Sequence, residues 1–397
     1  MTRSLAFWTL AATLFTFMAA AAAPSPLYVV YQAQWGFTGT TLTVVFGVYA
    51  LALLAALVTV GAVSDHIGRR PVLLASLAVQ LAALVVFVSA DGVGWLLLAR
   101  VLQGLATGAA TGAITAGLVD VQPPHRPGLA ALITSAVPGL GLGLGALGSG
   151  LLVEYAPAPT TLVFVLLIAV TALMAAGIAL MPETSTRRPG ALASLWPRLA
   201  VPAAGRTTFF GTVPIFAATW GVAGLYLSLG PSLVAEILHL RDHLVSGAVV
   251  CSLMIGAAVG SVLARGRAPR SAMVTGALGL ALGLAITLIG LHAGSLATLF
   301  LGSVVSGLGF GISFLGAFAT AAALATPEHR AALFATIYTV NYLAFSLPAI
   351  AAGAAATSFG LAATADVYGI AVIVISLAAV AFLARAQRKQ PSTVHCG

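Results

Sequence analysis

Charged side chains are scarce in this sequence, and the tightest group of them follows Gly61. Asp65 comes four residues later, and the pair Arg69 and Arg70 comes directly after a second glycine, Gly68. Glycine permits a tight reversal of the chain, so the acid and the two bases must share a short loop. The spacing therefore predicts an ion pair within that loop.

Arg100 is the second candidate, because it lies inside an apolar run long enough to cross a membrane. A buried arginine costs roughly 2.5–3.5 kcal/mol at the centre of a membrane helix and less nearer the surface. A residue kept at that cost is expected to have a role. Two interpretations stay open: the side chain contacts a bound molecule or tunes proton movement, or it reaches toward the membrane surface and bonds backbone carbonyl groups.

The elements that position these residues follow from the composition. Of 397 residues, 60% are hydrophobic and 7% are charged, against roughly 25% charged residues in a soluble domain, which excludes a water-soluble globule. A membrane-spanning helix needs about 20 apolar residues. Twelve runs are long enough, at 5–27, 40–63, 72–90, 95–119, 128–154, 160–181, 208–235, 245–264, 271–291, 295–323, 331–356 and 364–386. The sequence predicts an all-α membrane protein with twelve transmembrane helices.

The first run shares features with a signal peptide, since Arg3 precedes an apolar stretch that ends in three alanines at 21–23. Its apolar core is longer than the 7–15 residues usual for a signal peptide. Removing it would also leave an odd number of spans. We therefore expect the first helix to be retained.

The basic residues lie mostly on one side of the predicted membrane. With a cytoplasmic N-terminus, the cytoplasmic segments hold fifteen of the seventeen Lys and Arg residues, as the positive-inside rule requires. The outer segments hold Arg241 and five acids, Asp91, Glu154, Glu236, Asp242 and Asp366. We therefore predict a multi-pass protein of the cell inner (plasma) membrane with both termini in the cytoplasm.

The chain is predicted to divide into two six-helix bundles, 1–181 and 208–386, with a cytoplasmic linker at 182–207 and a cytoplasmic tail at 387–397. A repeat supports this division. The stretch 103–108 lines up with 306–311 at an offset of 203 residues, Gly61 with Gly260 at 199, and the loop 123–126 with 327–330 at 204. Three matches at nearly one offset indicate a duplicated unit.

The loop that follows Gly61 resembles the signature loop of the Major Facilitator Superfamily, G-x-x-x-D-x-x-G-R-[RK], at its expected place between the second and third helices. The resemblance implies that family's fold, with Asp65 and Arg69 in a charge cluster that closes the cytoplasmic side. Residues 326–328, Thr-Pro-Glu, are typical of a helix start, and we expect Asp65 to dock against its positive dipole end. The alternative is a basic loop that only sets topology and contains an incidental acid.

Two further stretches resemble motifs of the same family. Arg100 begins a match to the fourth-helix motif, R-x-x-x-G followed by small residues. Residues 141–150 are similar to the antiporter motif of the family's drug exporters, G-x-x-x-G-P-x-x-G-G, from which Ala146 and Ser149 depart. The second resemblance implies export.

Glycines four residues apart also let two helices approach closely in a membrane. Gly141 and Gly145 have this spacing in the fifth run, and Gly256 and Gly260 have it in the eighth. We predict that these four glycines form the interface between the bundles. Packing of this kind would account for the glycines without any export function. A formal G-x-G-x-x-G match at 143–148 lies in an apolar helix with no preceding strand, so a dinucleotide site is not expected.

The transport pathway of such a duplicated bundle lies near the midplane between the halves. The family resemblance assigns the first, fourth, seventh and tenth helices to it. Candidates at suitable depth are Phe15, Thr16, Gln103, Thr107, Trp220, Tyr226, Ser306, Phe310 and Phe314, with Tyr338, Asn341 and Tyr342 on the eleventh helix. As a set they predict an apolar, aromatic cavity suited to hydrophobic or amphipathic molecules.

These observations favour a secondary transporter that exports a small hydrophobic or amphipathic compound, such as a drug or secondary metabolite, in exchange for protons. No acid lies at mid-depth in any run. The available proton carriers are Asp65, Glu154 and Glu236, with Arg100 tuning one of them; without them the protein would be a uniporter. The alternatives are uptake or facilitated diffusion of a neutral metabolite, and a membrane sensor or scaffold that transports nothing.

The expected partners are a small-molecule substrate and membrane lipids. We expect no enzymatic activity, no metal, no cofactor other than the proton as coupling ion, and no nucleic acid. The chain is expected to act as a monomer.

Overall fold

The computed structural model describes residues 1–61, 63–126, 128–185, 189–196, 199–239, 242–325 and 330–388, and throughout these ranges the regular structure is helical. Twelve helices are long and apolar enough to cross a membrane: α1 (Arg3–Trp35), α2 (Gly39–Val60), α3 (Arg69–Val88), α4 (Val93–Asp120), α5 (Leu129–Tyr155), α6 (Pro159–Ala179), α7 (Ala203–Ser228), α8 (His243–Leu263), α9 (Pro269–His292), α10 (Leu296–Ala322), α11 (Ala332–Phe359) and α12 (Leu361–Arg385). The predicted fold class, with twelve membrane-spanning helices, is confirmed.

Polar residues begin several of these helices. The side-chain oxygens of Thr38, Asp242 and Ser295 each accept a hydrogen bond from the backbone N–H three residues further on, at the starts of α2, α8 and α10. Such a cap satisfies a donor that the first helical turn leaves free. Short polar loops therefore suffice to end one apolar span and begin the next.

Two of the helices are broken part-way along. The first consists of Arg3–Ala22 and Pro24–Trp35, and a short helix, Gly230–Glu236, continues α7. Proline stands at the first or second position of both continuing segments, where its missing N–H and fixed φ are tolerated. The breaks fall at corresponding places in the first and seventh spans, in keeping with the repeat.

The repeat also appears in how the helices pack. Gly104 of α4 lies against the backbone carbonyl of Tyr49 on α2, and Gly307 of α10 lies against that of Leu253 on α8. A Cβ atom on either glycine would collide with the carbonyl it faces. The two glycines are 203 residues apart and the two carbonyls 204, so both bundles use the same close contact.

The bundles formed by α1–α6 and α7–α12 meet where α2 packs on α11 and where α5 packs on α8. We call the end of the molecule that carries the loop 61–68 and the segment 182–185 the linker face, and the other end the opposite face. The domain limits 1–181, 182–207, 208–386 and 387–397 stay predictions. Residues 326–329 lie outside the described residues, so the predicted contact between Asp65 and the start of α11 also stays a prediction.

The four glycines that were predicted to form the interface between the bundles pack within their own bundles instead. Gly141 and Gly145 pack on α1 inside the first bundle, and Gly256 and Gly260 pack on α10 inside the second. None of these four glycines makes its close contact across the bundle interface.

Other glycines of α5 face α8 instead. Gly139 and Gly143 lie against Met254, and Gly150 lies against His243. Residues two apart are separated by about 200° around a helix of 3.6 residues per turn. Glycine at every second position therefore gives α5 two small faces, and the spacing of four alone does not say which face meets which neighbour.

Candidate functional site

Arg100 is buried in the first bundle, beside the break in α1. Its side chain is 1% exposed, and its Nη1 donates to the carbonyl oxygen of Ala21 at 3.1 Å and to the amide oxygen of Gln103. The guanidinium carbon lies 4.0 Å from the centre of the Tyr49 ring, a cation–π contact that gains strength where water is excluded. Arg100 thus connects α1, α2 and α4.

Proline explains why one carbonyl group of α1 is available to the side chain of Gln103. Pro24 has no N–H, so the Ala20 carbonyl loses its usual helical donor, and Gln103 Nε2 donates to it at 2.9 Å. At the break itself, the Ala23 carbonyl accepts a bond from Ser149 Oγ on α5 at 2.6 Å. The described partners of Arg100 are thus one backbone carbonyl and one side-chain amide, both inside the first bundle, and both interpretations of its role stay predictions.

The break in α7 carries a bond between the bundles. Ser25 Oγ donates to the carbonyl oxygen of Leu227 at 2.7 Å. Pro231, four residues after Leu227, cannot supply the N–H that a continuous helix would use. The two proline breaks therefore face each other, and the hydroxyl group of one satisfies the carbonyl of the other.

The loop between α2 and α3 forms an ion cluster at the linker face. Arg69, whose side chain is 11% exposed, pairs with Asp65, donates to Ser64 Oγ at 2.9 Å and reaches Asp120 Oδ2 at 3.4 Å. Gly61 ends α2. These partners all belong to the first bundle.

Gly68 and Glu183 hold the start of α3 in this cluster. Gly68 has a φ of 108°, which favours glycine, and a Cβ there would lie 2.5 Å from Glu183 Oε2. The Glu183 carboxylate accepts the backbone N–H groups of Arg69 at 2.8 Å and Arg70 at 3.1 Å. These are donors that the first helical turn leaves unpaired.

Asp120 and Glu183 belong to the cluster but are missing from the residues predicted from sequence. Asp120 Oδ2 also accepts a bond from Thr184 Oγ1 at 3.2 Å, and its backbone carbonyl accepts from Arg3 at 2.6 Å. The available signal was topological: both acids end an even-numbered apolar run, on the same side of the membrane as the loop that follows Gly61.

An acid–histidine pair joins the bundles at the opposite face. Glu154 at the end of α5 accepts from the backbone N–H of His243 at 3.0 Å, and its Oε2 lies 3.0 Å from His243 Nδ1. Glu236, the other predicted proton carrier on that side, is exposed, as is Glu154. Among the three predicted proton carriers, Glu154 is the one whose described hydrogen bonds cross between the bundles.

Rings from α7, α10 and α11 form an aromatic cluster in the second bundle. The centre of the Trp220 ring lies 4.9 Å from that of Tyr342, 5.7 Å from that of Phe345 and 6.3 Å from that of Phe314. Phe345 also contacts Phe46 of α2 at 4.8 Å. The cluster therefore reaches the boundary with the first bundle.

The cluster continues along α10 toward the linker face. Phe310, Phe314 and Phe318 are spaced by four residues, with ring centres 6.0 and 5.9 Å apart, and all three are partly exposed. Phe318 was not predicted from sequence, although it continues the same spacing. We use the term aromatic cluster for Trp220, Phe310, Phe314, Phe318, Tyr342 and Phe345.

The remaining predicted pathway residues have several different environments. Thr16 and Thr107 are buried and bond to carbonyls of their own helices, while Phe15 is partly exposed. Tyr226 bonds Thr287 and Ser303 inside the second bundle, and Ser306 lies against Gly283 of α9. Tyr338 stacks on Tyr342 with ring centres 6.5 Å apart. Asn341 is fully buried without a hydrogen-bond partner.

Metal coordination has no candidate in the described part of the chain, where no group of three His, Cys, Asp or Glu side chains could hold an ion. The chemistry available to the site is hydrogen bonding, ring stacking and the making and breaking of a few ion pairs.

Solved structures that share this fold include the following three. The nucleoside transporter NupG matches with a TM-score of 0.71 and 12% identity, over 95% of this chain and 99% of that one. A bacterial homologue of the human lysosomal transporter Spinster matches with 0.75 and 16%, over 97% of both chains. A POT family transporter in complex with 5-aminolevulinic acid matches with 0.76 and 13%, over 96% of both. At these identities the likeness is one of fold.

The sequence itself identifies the family. The sequence model of the family described as "Major Facilitator Superfamily" matches residues 9–267, which is more than half of the chain. The protein belongs to the Major Facilitator Superfamily.

Proposed function

We propose that this protein is a secondary transporter for a small hydrophobic or amphipathic compound without net charge. The observation that carries the proposal is the aromatic cluster, in which Trp220 contacts rings of α10 and α11. Rings in such a cluster offer apolar area and stacking geometry. Phosphorylated or polyanionic compounds would need several basic side chains, which the cluster does not contain.

Alternating access gives this site two routes of entry. The bonds between Ser25 and Leu227, and between Glu154 and His243, connect the bundles toward the opposite face. The ion cluster around Arg69 stays within the first bundle. These contacts support a state closed at the opposite face, and the transport cycle would break them while the cluster around Arg69 gains partners on the second bundle.

The direction we propose is export in exchange for protons, with Glu154 as the acid that carries the coupling. Protonation of Glu154 removes the negative charge that faces His243, so it weakens a contact between the bundles. The partner of Asp65 lies in its own loop, and no described hydrogen bond of Glu236 crosses between the bundles. Protonation of either acid would leave the contact between Glu154 and His243 in place.

The test uses the neutral dye Nile red. Cells that express the protein should retain less dye than cells with an empty vector, and a protonophore should abolish the difference. Retention that equals the vector control, or a difference that survives the protonophore, would contradict proton-linked export.

Uptake of a neutral metabolite is the second candidate. It is favoured by one comparison in particular, because NupG is a nucleoside transporter and the aromatic cluster could stack on a heterocyclic base as well as on a drug. Labelled solute would then accumulate inside expressing cells, and Nile red retention would be unchanged.

The proposal also covers the membrane, the orientation of the chain, its partners and the coupling ion. We propose the cell inner membrane, with the linker face and both termini in the cytoplasm, because the basic residues gather at that face. Membrane lipids and the transported compound are the proposed partners of a monomer, and the proton is the proposed coupling ion.

A further inference from the structure

A buried carboxamide in the second bundle has no hydrogen-bond partner. Asn341 on α11 is 0% exposed, and neither its Oδ1 nor its Nδ2 is bonded. An unpaired polar group in a protein interior costs about 1–3 kcal/mol, and the membrane core offers no water to relieve it. A group kept at that cost calls for an explanation.

Helix geometry places Asn341 at the contact between α11 and α7. Residues three or four apart share a helix face, and the neighbours of Asn341 at this spacing are Ile337, Tyr338, Ala344 and Phe345. Phe345 contacts Trp220 of α7 with ring centres 5.7 Å apart, and Ile337 belongs to a buried apolar cluster that also contains Phe216 of α7. Asn341 therefore lies one turn from a residue of α11 that packs on Trp220.

A second unpaired donor lies on the α7 side of this contact. The indole Nε1 of Trp220 is buried without a hydrogen-bond partner, although a buried tryptophan N–H usually finds one. The contact between α7 and α11 thus carries two unsatisfied donors, Asn341 Nδ2 and Trp220 Nε1, and one unsatisfied acceptor, Asn341 Oδ1.

We propose that Asn341 and Trp220 form the polar end of the binding site for the transported compound, and that this compound is a neutral planar aromatic molecule with a donor next to an acceptor on its edge, as in an amide or lactam. The carboxamide of Asn341 donates through Nδ2 and accepts through Oδ1, so an amide edge satisfies both atoms at once. The rings of the aromatic cluster stack on the planar part of the ligand. This inference rests on the proposed function, because it specifies the substrate of the same site.

The ligand would reach Asn341 from the exposed faces of the cluster. Trp220, Phe314 and Tyr338 are each partly exposed although they contact rings on other helices or on the same helix. Tyr338 lies one turn before Asn341 on α11. A rotation of the Asn341 side chain toward these faces would bring its amide to a ligand stacked there.

A second buried carboxamide supplies a matched control. Gln80 of α3 is 1% exposed and also lacks partners for both Nε2 and Oε1. It lies in the first bundle, outside the aromatic cluster. Replacing Gln80 removes the same chemical group from the same kind of environment without touching the proposed site.

The experiment measures binding to purified protein in detergent, with no ion gradient. The ligands are 2-naphthamide, N,N-dimethyl-2-naphthamide, which lacks the donor, and the anion 2-naphthoate. We expect 2-naphthamide to raise the Tm of the wild type and of Gln80→Leu with equal affinity. Both analogues should bind the wild type at least ten-fold more weakly.

The variants then assign the contact. Asn341→Leu should weaken 2-naphthamide at least ten-fold, and should weaken the dimethyl analogue by a smaller factor because that ligand keeps only its carbonyl acceptor. Because this change removes an unsatisfied polar group, the variant should fold at least as stably as the wild type. Trp220→Phe keeps a ring without the N–H and should weaken 2-naphthamide as well.

Three results would overturn the inference: no binding of 2-naphthamide to the wild type, equal affinities for the three ligands, or equal 2-naphthamide affinity in wild type and Asn341→Leu. Failure of the proposed function looks different. Expressing cells would then transport no compound, while the purified protein still showed the expected preference for 2-naphthamide.

Discussion

The hydroxyl group of Ser25 donates a hydrogen bond to the backbone carbonyl of Leu227, 202 residues away, and so ties the proline break of α1 to that of α7. Both residues are buried, Ser25 at 3% exposure. The bond spans the two bundles at a carbonyl that Pro231 leaves without a helical donor. It is therefore suited to hold one end of the molecule closed.

Replacing Ser25 by alanine should open that end more often. The Leu227 carbonyl would lose its described partner, at a cost of about 1–3 kcal/mol, and even about 1 kcal/mol changes an equilibrium about five-fold. A cysteine placed at Ser232, which is 6% exposed, should react with a water-soluble maleimide at least about five-fold faster in Ser25→Ala.

Ser228→Ala is the matched control for this measurement. The hydroxyl group of Ser228 bonds only the Gly224 carbonyl of its own helix among the described contacts, at 2.6 Å. The labelling rate should stay at the wild-type value in this variant. Equal rates in Ser25→Ala and Ser228→Ala would argue against a latch between the bundles.

Gly68→Ala should destabilise the loop between α2 and α3 for two reasons. An L-residue at positive φ is strained by roughly 1–2 kcal/mol, and the new Cβ would lie 2.5 Å from the Glu183 carboxylate. Gly128 has φ 84° and ψ 0°, a left-handed conformation that other residues tolerate better than the φ 108° and ψ 153° of Gly68, and its Cβ would meet nothing within 4 Å. The Tm of Gly68→Ala should therefore be lower than that of Gly128→Ala, and equal values would contradict both the extra strain and the Glu183 contact.

Arg100→Met should separate folding from transport. The methionine removes the cost of burying a charge, but it leaves the Ala21 carbonyl without its described side-chain partner and removes the stacking on Tyr49, a loss of about 1–3 kcal/mol for the carbonyl alone. We expect transport to fall at least ten-fold and the Tm to fall only modestly. Arg100→Lys keeps the charge without the planar guanidinium and should fail as well; transport restored by lysine would mean that charge alone matters.

Glu154→Gln should uncouple transport from protons. Glutamine still accepts from the His243 backbone N–H but carries no charge and takes up no proton. Nile red export should lose its sensitivity to a protonophore. Asp366→Asn is the control, because Asp366 pairs with His292 at 2.9 Å at the same face but within the second bundle. If Asp366→Asn lost proton coupling while Glu154→Gln kept it, Glu154 would not be the coupling residue.

The helix count and approximate bounds were predictable from sequence because apolar length decides them. The eighth run, predicted at 245–264, is His243–Leu263 in the structure. The break in α1 was not anticipated, although Pro24 and Pro26 stand in the first run. Hydropathy records how apolar a segment is, whereas a break depends on which N–H groups are missing.

Packing partners were less predictable than positions. Spacing identified Gly141 and Gly145 as close-contact residues, but the neighbour they meet is α1 and not α8. Likewise the sequence predicted Asp65 and Arg69 as site residues but not Asp120 and Glu183. The last two contact Arg69 because α4 and α6 end beside the loop that holds it. Such contacts are set by the arrangement of several helices, which spacing within one helix does not contain.

The residues of the aromatic cluster were partly predictable from sequence. Trp220, Phe310, Phe314 and Tyr342 were expected to line a pathway on the basis of depth and residue type, and the structure brings all four together. Tyr226 has the same depth and type but bonds inside the second bundle. The difference is the neighbouring helix: Trp220 contacts rings of α10 and α11, whereas Tyr226 bonds side chains of α9 and α10.

The most direct test of the account is proton movement in proteoliposomes that trap a pH-sensitive dye. The vesicles are loaded with the neutral aromatic compound that most raises the Tm of the purified protein, and are then diluted into compound-free buffer. The account predicts that the compound leaves, protons enter and the interior acidifies, with no acidification in Glu154→Gln or in protein-free vesicles. Protein-dependent exit of the compound without any change of internal pH would contradict it.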